Sequence, residues 1–402
     1  MAKSLIPKLP LYPFIFSAVK RVIEVLKTPD TPVKKLEDYP ANKLANSLHP
    51  AKQHLKVVKI VKWSEDMKTY VFAPDEAAGT TSLAWFSAGS YLSITYRDKN
   101  ISFTRPYSIS SAPRKSLENH YCITVKRTEA PTASNYILDN WIVGTKCVAS
   151  DPQGEFTYEP LRDAKRVIGI AGGSGITPFR SMAYAIADGD EDFELTILYG
   201  SRTLKDAVFS DELKALSETC PKIKLINVLS EQRAKGCKYG FVTAKLIESV
   251  VPKGEEYSLF ICGPQAMYRY LDAEIEKLGI RPKFVRQELF GEFSHPENDP
   301  EYKGNIKGKY ELTVKMAGKE YVVPCRADTT VLRALEEAGI DAPNRCRSGK
   351  CGWCHAQLLK GKVYTPKSVD GRRIGDIEYG YIHPCSCFPL GSITIDIPPV
   401  PQ

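Results

Sequence analysis

Four cysteines in the last sixty residues offer the most specific chemistry in the chain. Cys346 and Cys351 have four residues between them, Cys351 and Cys354 have two, and Cys385 follows after thirty more. C-x4-C-x2-C…C is the spacing that holds a [2Fe–2S] cluster, because one tight loop delivers three thiolates and a fourth arrives from elsewhere. Gly349 and Gly352 let such a loop bend closely enough for its N–H groups to reach the sulfurs. Structural zinc is the competing reading, but zinc loops usually bring two short-spaced pairs and Cys385 has no partner of that kind. Cys387 is a rival fourth ligand, two residues on.

Three more runs carry chemistry. Arg105-Pro106-Tyr107-Ser108 joins a guanidinium able to pair with a diphosphate, a ring able to stack on an isoalloxazine and a hydroxyl able to reach its N5. Val125-Lys126-Arg127 comes one strand later, and Thr132-Ala133-Ser134-Asn135 opens a predicted helix that offers N–H groups to phosphate. Ala171-Gly172-Gly173-Ser174-Gly175-Ile176-Thr177-Pro178 follows a predicted strand. Its glycines allow close backbone approach to a pyrophosphate, and Pro178 suits a first helical turn. It lacks the G-x-G-x-x-G form, so a Rossmann fingerprint is excluded. Ile261-Cys262-Gly263-Pro264 ends a later strand, where ligands of open α/β sheets collect. Asp206 can bond a ribose hydroxyl, which favours NADH; Arg202, Arg233 and Lys238 can hold a 2′-phosphate, which favours NADPH.

These residues need elements to position them. Leu55–Val61, Thr69–Ala73, Tyr91–Tyr96 and Tyr121–Lys126 are short β-branched and aromatic runs between turn signals, which predicts an antiparallel barrel over residues 51–162. Over 163–290 strands alternate with helices, ending in strand Ser258–Cys262 and helix Gln265–Leu278, the grammar of a doubly wound parallel sheet. Residues 291–308 are polar, hold Pro and Gly, and read as a linker. Residues 309–402 predict a hairpin, a helix at Val331–Ala338, the cysteines and a last strand. Residues 1–50 form an extension with seven prolines. Within it, residues 14–27 gather Ser17, Lys20, Arg21, Glu24 and Lys27 on one side of a helix. The apolar side (Phe14, Ile15, Val19, Val22, Ile23, Leu26) packs on the protein's own body or docks on a partner or a membrane surface.

The order RPYS, GGSGITP, CGP over residues 52–290 resembles the ferredoxin–NAD(P)H reductase family, and residues 309–402 resemble plant-type ferredoxins. The order of domains is similar to that of phthalate dioxygenase reductase-like and hybrid-cluster-protein reductase-like proteins. The resemblance implies a flavin barrel, a nicotinamide-binding α/β domain and a β-grasp [2Fe–2S] domain. It implies FAD, with FMN as the alternative, and NADH or NADPH as donor. It places Arg105 on the flavin phosphate, Tyr107 on the ring and Ser108 near N5. Gly172, Gly173, Gly175 and Thr177 surround the dinucleotide, Cys262 lies near the nicotinamide, and Glu288 and Phe290 close the flavin site. Ser108, Cys262 and Glu288 are thus the catalytic candidates, and Cys346, Cys351, Cys354 and Cys385 the ligands. Electrons would pass from NAD(P)H through flavin and cluster to a protein acceptor such as a terminal oxygenase, or alternatively to a quinone or membrane complex.

Composition adds boundaries. A formal charge of 55 − 47 = +8 over 402 residues is too mild to argue for nucleic acid, and most of the excess lies in residues 1–50 and 309–402. Arg345, Arg347 and Lys350 flank the cluster and predict a basic rim for an acidic acceptor. Eleven cysteines without a secretory signal suggest a reducing cytoplasm. No apolar stretch reaches the ~18 residues of a spanning helix.

Overall fold

The computed structural model describes residues 11–27, 39–99, 101–128, 133–289 and 291–399. The chain divides into two compact units, Met1–Ser47 and Leu48–Gln402. The first holds helix α1 (Leu11–Lys27) and most of α2 (Pro40–Leu48). On α1, Val19, Val22, Ile23 and Leu26 of the predicted apolar side are exposed, while the side chains of Phe14 and Ile15 lie outside the described residues.

In the second unit, β1 (Gln53–Ser64), β2 (Met67–Pro74), β3 (Tyr91–Arg97), β4 (Ser102–Ser108), β5 (Tyr121–Lys126) and β6 (Lys146–Ala149) form an antiparallel sheet of order β4-β3-β6-β1-β2-β5. Alternation drives it: Leu55 and Val57 of β1 point inward with Lys56 between them, and a register shift between Val57 and Lys59 leaves Lys59 exposed. Ile109, just past β4, bridges Ile123 on β5, and the Ser110 N–H donates to the Cys122 carbonyl at 2.8 Å, which closes the sheet on itself. Leu55, Tyr70, Phe72, Leu92, Ile94 and Ile123 fill the interior, all fully buried. Helix α3 (Ala133–Asn140) covers one end, its Ile137 carbonyl accepting from the Tyr70 hydroxyl at 2.9 Å.

Six parallel strands follow: β7 (Arg166–Gly172), β8 (Glu194–Ser201), β9 (Ile223–Leu229), β10 (Lys238–Tyr239), β11 (Ser258–Cys262) and β12 (Val285–Glu288), ordered β10-β9-β8-β7-β11-β12. Strands β7, β8 and β11 are mostly apolar and largely buried because both faces are covered. Helices α4 (Thr177–Ala187) and α5 (Ser210–Thr219) bury one face, and α6 (Ala244–Ser249) and α7 (Gln265–Leu278) bury the other. Strand order reverses between β7 and β11, so the Gly-rich run and the Cys-Gly-Pro run meet at the switch point. The barrel packs there through Met67, Ala88 and Phe156, which share a core with Phe179 and Met182.

The last region has β13 (Lys309–Met316), β14 (Lys319–Arg326), helix α8 (Val331–Glu337), β15 (Ala356–Lys360), β16 (Val363–Tyr364), helix α9 (Ile374–Glu378), β17 (Tyr381–Ile382), β18 (Phe388–Pro389) and β19 (Ile393–Ile397). The main sheet runs β14-β13-β19-β15-β17, with β13 and β19 parallel. Thr330 caps α8 by accepting from the Arg333 N–H at 3.2 Å. Residues 291–308 are less free than their composition suggests. Pro296 is buried, Phe293 meets Phe388 edge-on, and Tyr302 meets Tyr364.

Candidate functional site

The loop from Cys346 to Cys354 crosses one end of the last sheet. Cys346, Cys354 and Cys385 are buried, whereas Cys351 is exposed. Gly349 (φ +79°) and Gly352 (φ +69°) take the left-handed turns the loop needs, and a Cβ on Gly349 would lie 2.0 Å from the Val369 carbonyl oxygen. Backbone N–H groups point at sulfur: Ser348 and Cys351 at Cys346 Sγ (3.5 and 3.4 Å), and Gly349 at Cys385 Sγ (3.2 Å). The Cys385 thiol has Cys346 and Cys354 for neighbours, while Cys387, also buried, has Cys354 and Cys325. Neighbouring Cys351 and Cys385, then the Ser348 and Cys351 N–H groups on its sulfur, lower the Cys346 thiol from its ordinary range. Four crowded thiols with N–H donors aimed at them fit a [2Fe–2S] cluster. Among the described residues no three side chains are set to hold a single metal ion, and four sulfurs around two irons need not converge on one point.

Strand β4 presents the flavin candidates. The Tyr107 hydroxyl lies 3.0 Å from Ser134 Oγ at the start of α3, and burial pushes its phenol up to about 12. Pro106 is buried beside it. Ser108 is 5 % exposed, and its hydroxyl has no hydrogen-bond partner among the described residues, so it suits an acceptor atom of a bound ring. Val125 is wholly inside the barrel and can reach a ligand only through its backbone. Lys126 Nζ lies 3.2 Å from where a Cβ on Gly173 would stand, which joins the barrel to the Gly-rich turn. Ala133 is buried at the start of α3. Thr132 and Phe290 lie outside the described residues.

Arg105 engages a partner that sequence reasoning did not offer. Its Nη1 and Nη2 fork the Glu336 carboxylate at 2.7 and 2.9 Å, and Nη1 also donates to the Thr104 carbonyl. Three of five N–H donors are thereby engaged, which leaves two for a flavin phosphate.

At the switch point, a Cβ on Gly175 would lie 2.0 Å from the Cys262 carbonyl oxygen, and one on Gly172 2.7 Å from Met267 Sδ. These glycines therefore bring two strand ends together as well as clearing space. Gly263 is crowded by Met267 in the same way. The Thr177 hydroxyl closes its own turn on the Ser174 carbonyl at 2.9 Å, and Pro178 is buried in the first turn of α4. Pro264 precedes α7 with extended backbone. Cys262 is 1 % exposed, and burial raises its thiol well above the usual range, so it presents a neutral S–H.

Glu288 ends β12, a four-residue strand of mixed polarity (Val-Arg-Gln-Glu) that carries no apolar alternation to read. Burial, then Cys346, pushes its carboxyl up to about 8. Tyr91, whose phenol is raised by burial and then by Cys346, Cys351 and Glu288, completes the wall. Tyr268 is a further residue missed from sequence. Its hydroxyl accepts from the Gly263 N–H at 3.1 Å and donates to the Glu288 carbonyl, tying the Cys-Gly-Pro turn to β12. Its place in the first turn after Cys-Gly-Pro was the one signal available.

Asp206 closes its own turn: Oδ2 accepts from the Thr203 N–H at 3.1 Å and hydroxyl at 2.8 Å. Arg202 and Lys238 are exposed near the C-terminal ends of β8 and β9, and Arg233 stacks on Tyr239 at 4.2 Å. The basic rim predicted around the cluster is corrected here. Arg347 is 1 % exposed and paired with Glu292 and Glu336. Arg345 pairs with Asp151 at 3.2 Å and stacks on Trp353 at 3.5 Å. Lys350 alone of the three is exposed, because the other two serve internal packing.

Comparison with known proteins agrees with this geometry. Three family models match in order: an oxidoreductase FAD-binding domain over residues 54–158, an oxidoreductase NAD-binding domain over 170–272, and a 2Fe-2S iron-sulfur cluster binding domain over 314–390. The glycine betaine monooxygenase reductase subunit of Chromohalobacter salexigens is 25% identical over 358 residues, covering 86% of this chain and 95% of its own. The NADH oxidoreductase HCR of Escherichia coli is 26% identical over 310 residues, with 77% and 88% covered. Among solved structures, phthalate dioxygenase reductase shares the fold with a TM-score of 0.58 at 24% identity, covering 86% of this chain and 98% of its own. The chain is a ferredoxin–NAD(P)H reductase-family oxidoreductase, with FAD- and NAD-binding domains followed by a plant-type [2Fe–2S] ferredoxin domain.

Proposed function

We propose that this chain draws electrons from NAD(P)H and delivers them singly to a separate redox protein. The observation that carries this is the junction of the three domains: Arg105 of the flavin strand forks Glu336 of the cluster domain, Arg347 beside cluster ligand Cys346 reaches the Thr104 carbonyl, and Lys126 of the barrel lies against Gly173 of the nicotinamide turn. FAD held there would supply the chemistry of taking two electrons with a hydride and releasing them one at a time. The chain's own residues supply geometry. Tyr107 and Ser134 border the ring, Ser108 offers its unpartnered hydroxyl, and Gly172, Gly173 and Gly175 let the dinucleotide approach the switch point. Cys262 keeps a neutral, water-poor wall beside the nicotinamide. Cys346, Cys351, Cys354 and Cys385 would hold the iron.

The relatives named as monooxygenase reductase subunits support a terminal oxygenase as the acceptor class. The acceptor docks over exposed Cys351 and Lys350, with little basic charge to call for a strongly acidic face. Anaerobic addition of NADH or NADPH to purified holoprotein tests the core of the reading. Flavin absorbance should bleach first and cluster absorbance next. A preparation that stays colourless after reconstitution with iron, sulfide and FAD overturns it.

The exposed apolar side of α1 supports a second role, docking on an anionic lipid surface. Val19, Val22, Ile23 and Leu26 would enter the headgroup region while Lys20, Arg21 and Lys27 meet the phosphates. Among the described residues no helix is long and apolar enough to cross a membrane. Full-length protein should co-sediment with phosphatidylglycerol vesicles and a form lacking residues 1–50 should not; equal sedimentation removes this role.

A further inference from the structure

Four charged side chains from three parts of the second unit converge where β4 meets the cluster loop. Arg105 comes from β4, Glu292 from the segment after β12, Glu336 from α8, and Arg347 from between cluster ligand Cys346 and Gly349. Arg105 forks Glu336 at 2.7 and 2.9 Å. Arg347 reaches the same carboxylate at 2.9 and 3.3 Å, and its Nε donates to Glu292 Oε1 at 2.7 Å. Thr330, the cap of α8, donates to Glu292 Oε2 at 3.1 Å, and Asn344 Oδ1 accepts from Arg347 at 3.2 Å. Arg347 also reaches the Thr104 carbonyl on β4 at 3.4 Å. Two cations and two anions thus neutralise one another; every guanidinium nitrogen of Arg347 is engaged, whereas Arg105 keeps two N–H donors outside the network. Arg347 holds a left-handed backbone (φ +55°), an uncommon conformation for a side chain of this size. That conformation persists because the network fixes it.

A network of this kind is a weak source of stability, because desolvation offsets much of its attraction. Its better use is to select one arrangement. Any sliding of the cluster domain against the barrel would strand a guanidinium or carboxylate without its partner, away from water. We propose that the Arg105–Glu336–Arg347–Glu292 network is a clamp that sets the cluster loop against the flavin site, with Glu336 its central positioning residue. The inference rests on the proposed electron route and deepens it: Arg105 stands on the flavin strand and pairs with the cluster domain, so the clamp fixes the gap that the electron must cross. With both groups bound, the step concerned would move one electron from the reduced flavin to the cluster, one ferric iron becoming ferrous, and a second would follow once the acceptor had taken the first.

Glu336→Gln in the holoenzyme tests the clamp, since it keeps the shape and removes the shared charge. Stopped-flow absorbance should show flavin reduction by NAD(P)H within about twofold of wild type. Flavin-to-cluster transfer should fall about tenfold, within the range of ordinary coupling between sites. Hydrogen exchange should rise at the amides of β4 and α8 with flavin and iron content unchanged, and Glu292→Gln should reproduce both effects more weakly. Cluster reduction at the wild-type rate with unchanged exchange overturns the clamp. Equal slowing of flavin reduction and cluster reduction also overturns it, because the defect would then lie in the fold. If the wild-type cluster is not reduced by NAD(P)H at all, the electron route itself fails instead.

Discussion

A hydroxyl buried without a partner costs free energy, so Ser108 states a need that a ligand atom can meet. Ser108→Ala should retain flavin and slow its reduction about tenfold, the equivalent of one hydrogen bond of ~1.4 kcal/mol felt in the transition state. Stopped-flow flavin reduction at saturating NAD(P)H checks this. Glu288 makes a pH prediction at the same scale. Burial holds its carboxyl protonated up to about 8, against 4.5 for an exposed glutamate. The folded protein therefore binds a proton in this window that the unfolded chain has released. Stability contributed by that proton is whole below 4.5 and is lost as pH rises toward 8. Glu288→Gln should flatten this decline, measured by urea denaturation at several pH values; a decline identical to wild type would remove the role of this carboxyl.

Elements differ in how plainly the sequence declared them. Tyr121–Lys126, Ser258–Cys262 and Gln265–Leu278 were legible to the residue, because periodicity and flanking turns agreed. Strand β12 was not, since Val-Arg-Gln-Glu has no apolar alternation and pairs only because β11 lies beside it. The same limit hid part of the site. Cysteine spacing announces a cluster locally, whereas Glu292 and Glu336 acquire their roles from Arg105 and Arg347, respectively 187 and 231 residues from Arg105 and 55 and 11 from Arg347. The Arg345–Arg347–Lys350 run misled for that reason: charge reads from sequence, but its partner does not. The glycine runs, by contrast, were legible and have a mechanical cause. A Cβ at Gly175 would overlap the Cys262 carbonyl. Gly175→Ala should cost ~3 kcal/mol in chemical denaturation. Gly375→Ala, in α9 with open space around it, should be neutral or slightly stabilising.

At the scale of the molecule, charge is arranged inward around the cluster rather than outward. Arg347 faces Glu292 and Glu336, Arg345 faces Asp151, and only Lys350 among the three is left to solvent beside exposed Cys351. Steering by a charged patch raises association rates by ~10 to 1,000-fold and collapses as salt shortens the Debye length from ~10 Å at 0.1 M to ~3 Å at 1 M. A single lysine supplies little of that field. Reduction of the native protein acceptor should therefore change by less than about threefold between low and high salt. Ferricyanide, a small anion that takes electrons without a docked interface, serves as the control for salt effects on the flavin and NAD(P)H steps. A tenfold fall in acceptor reduction with a constant ferricyanide rate would show that a basic docking field exists elsewhere on the surface, and Lys350→Ala would then tell whether the cluster edge contributes to it.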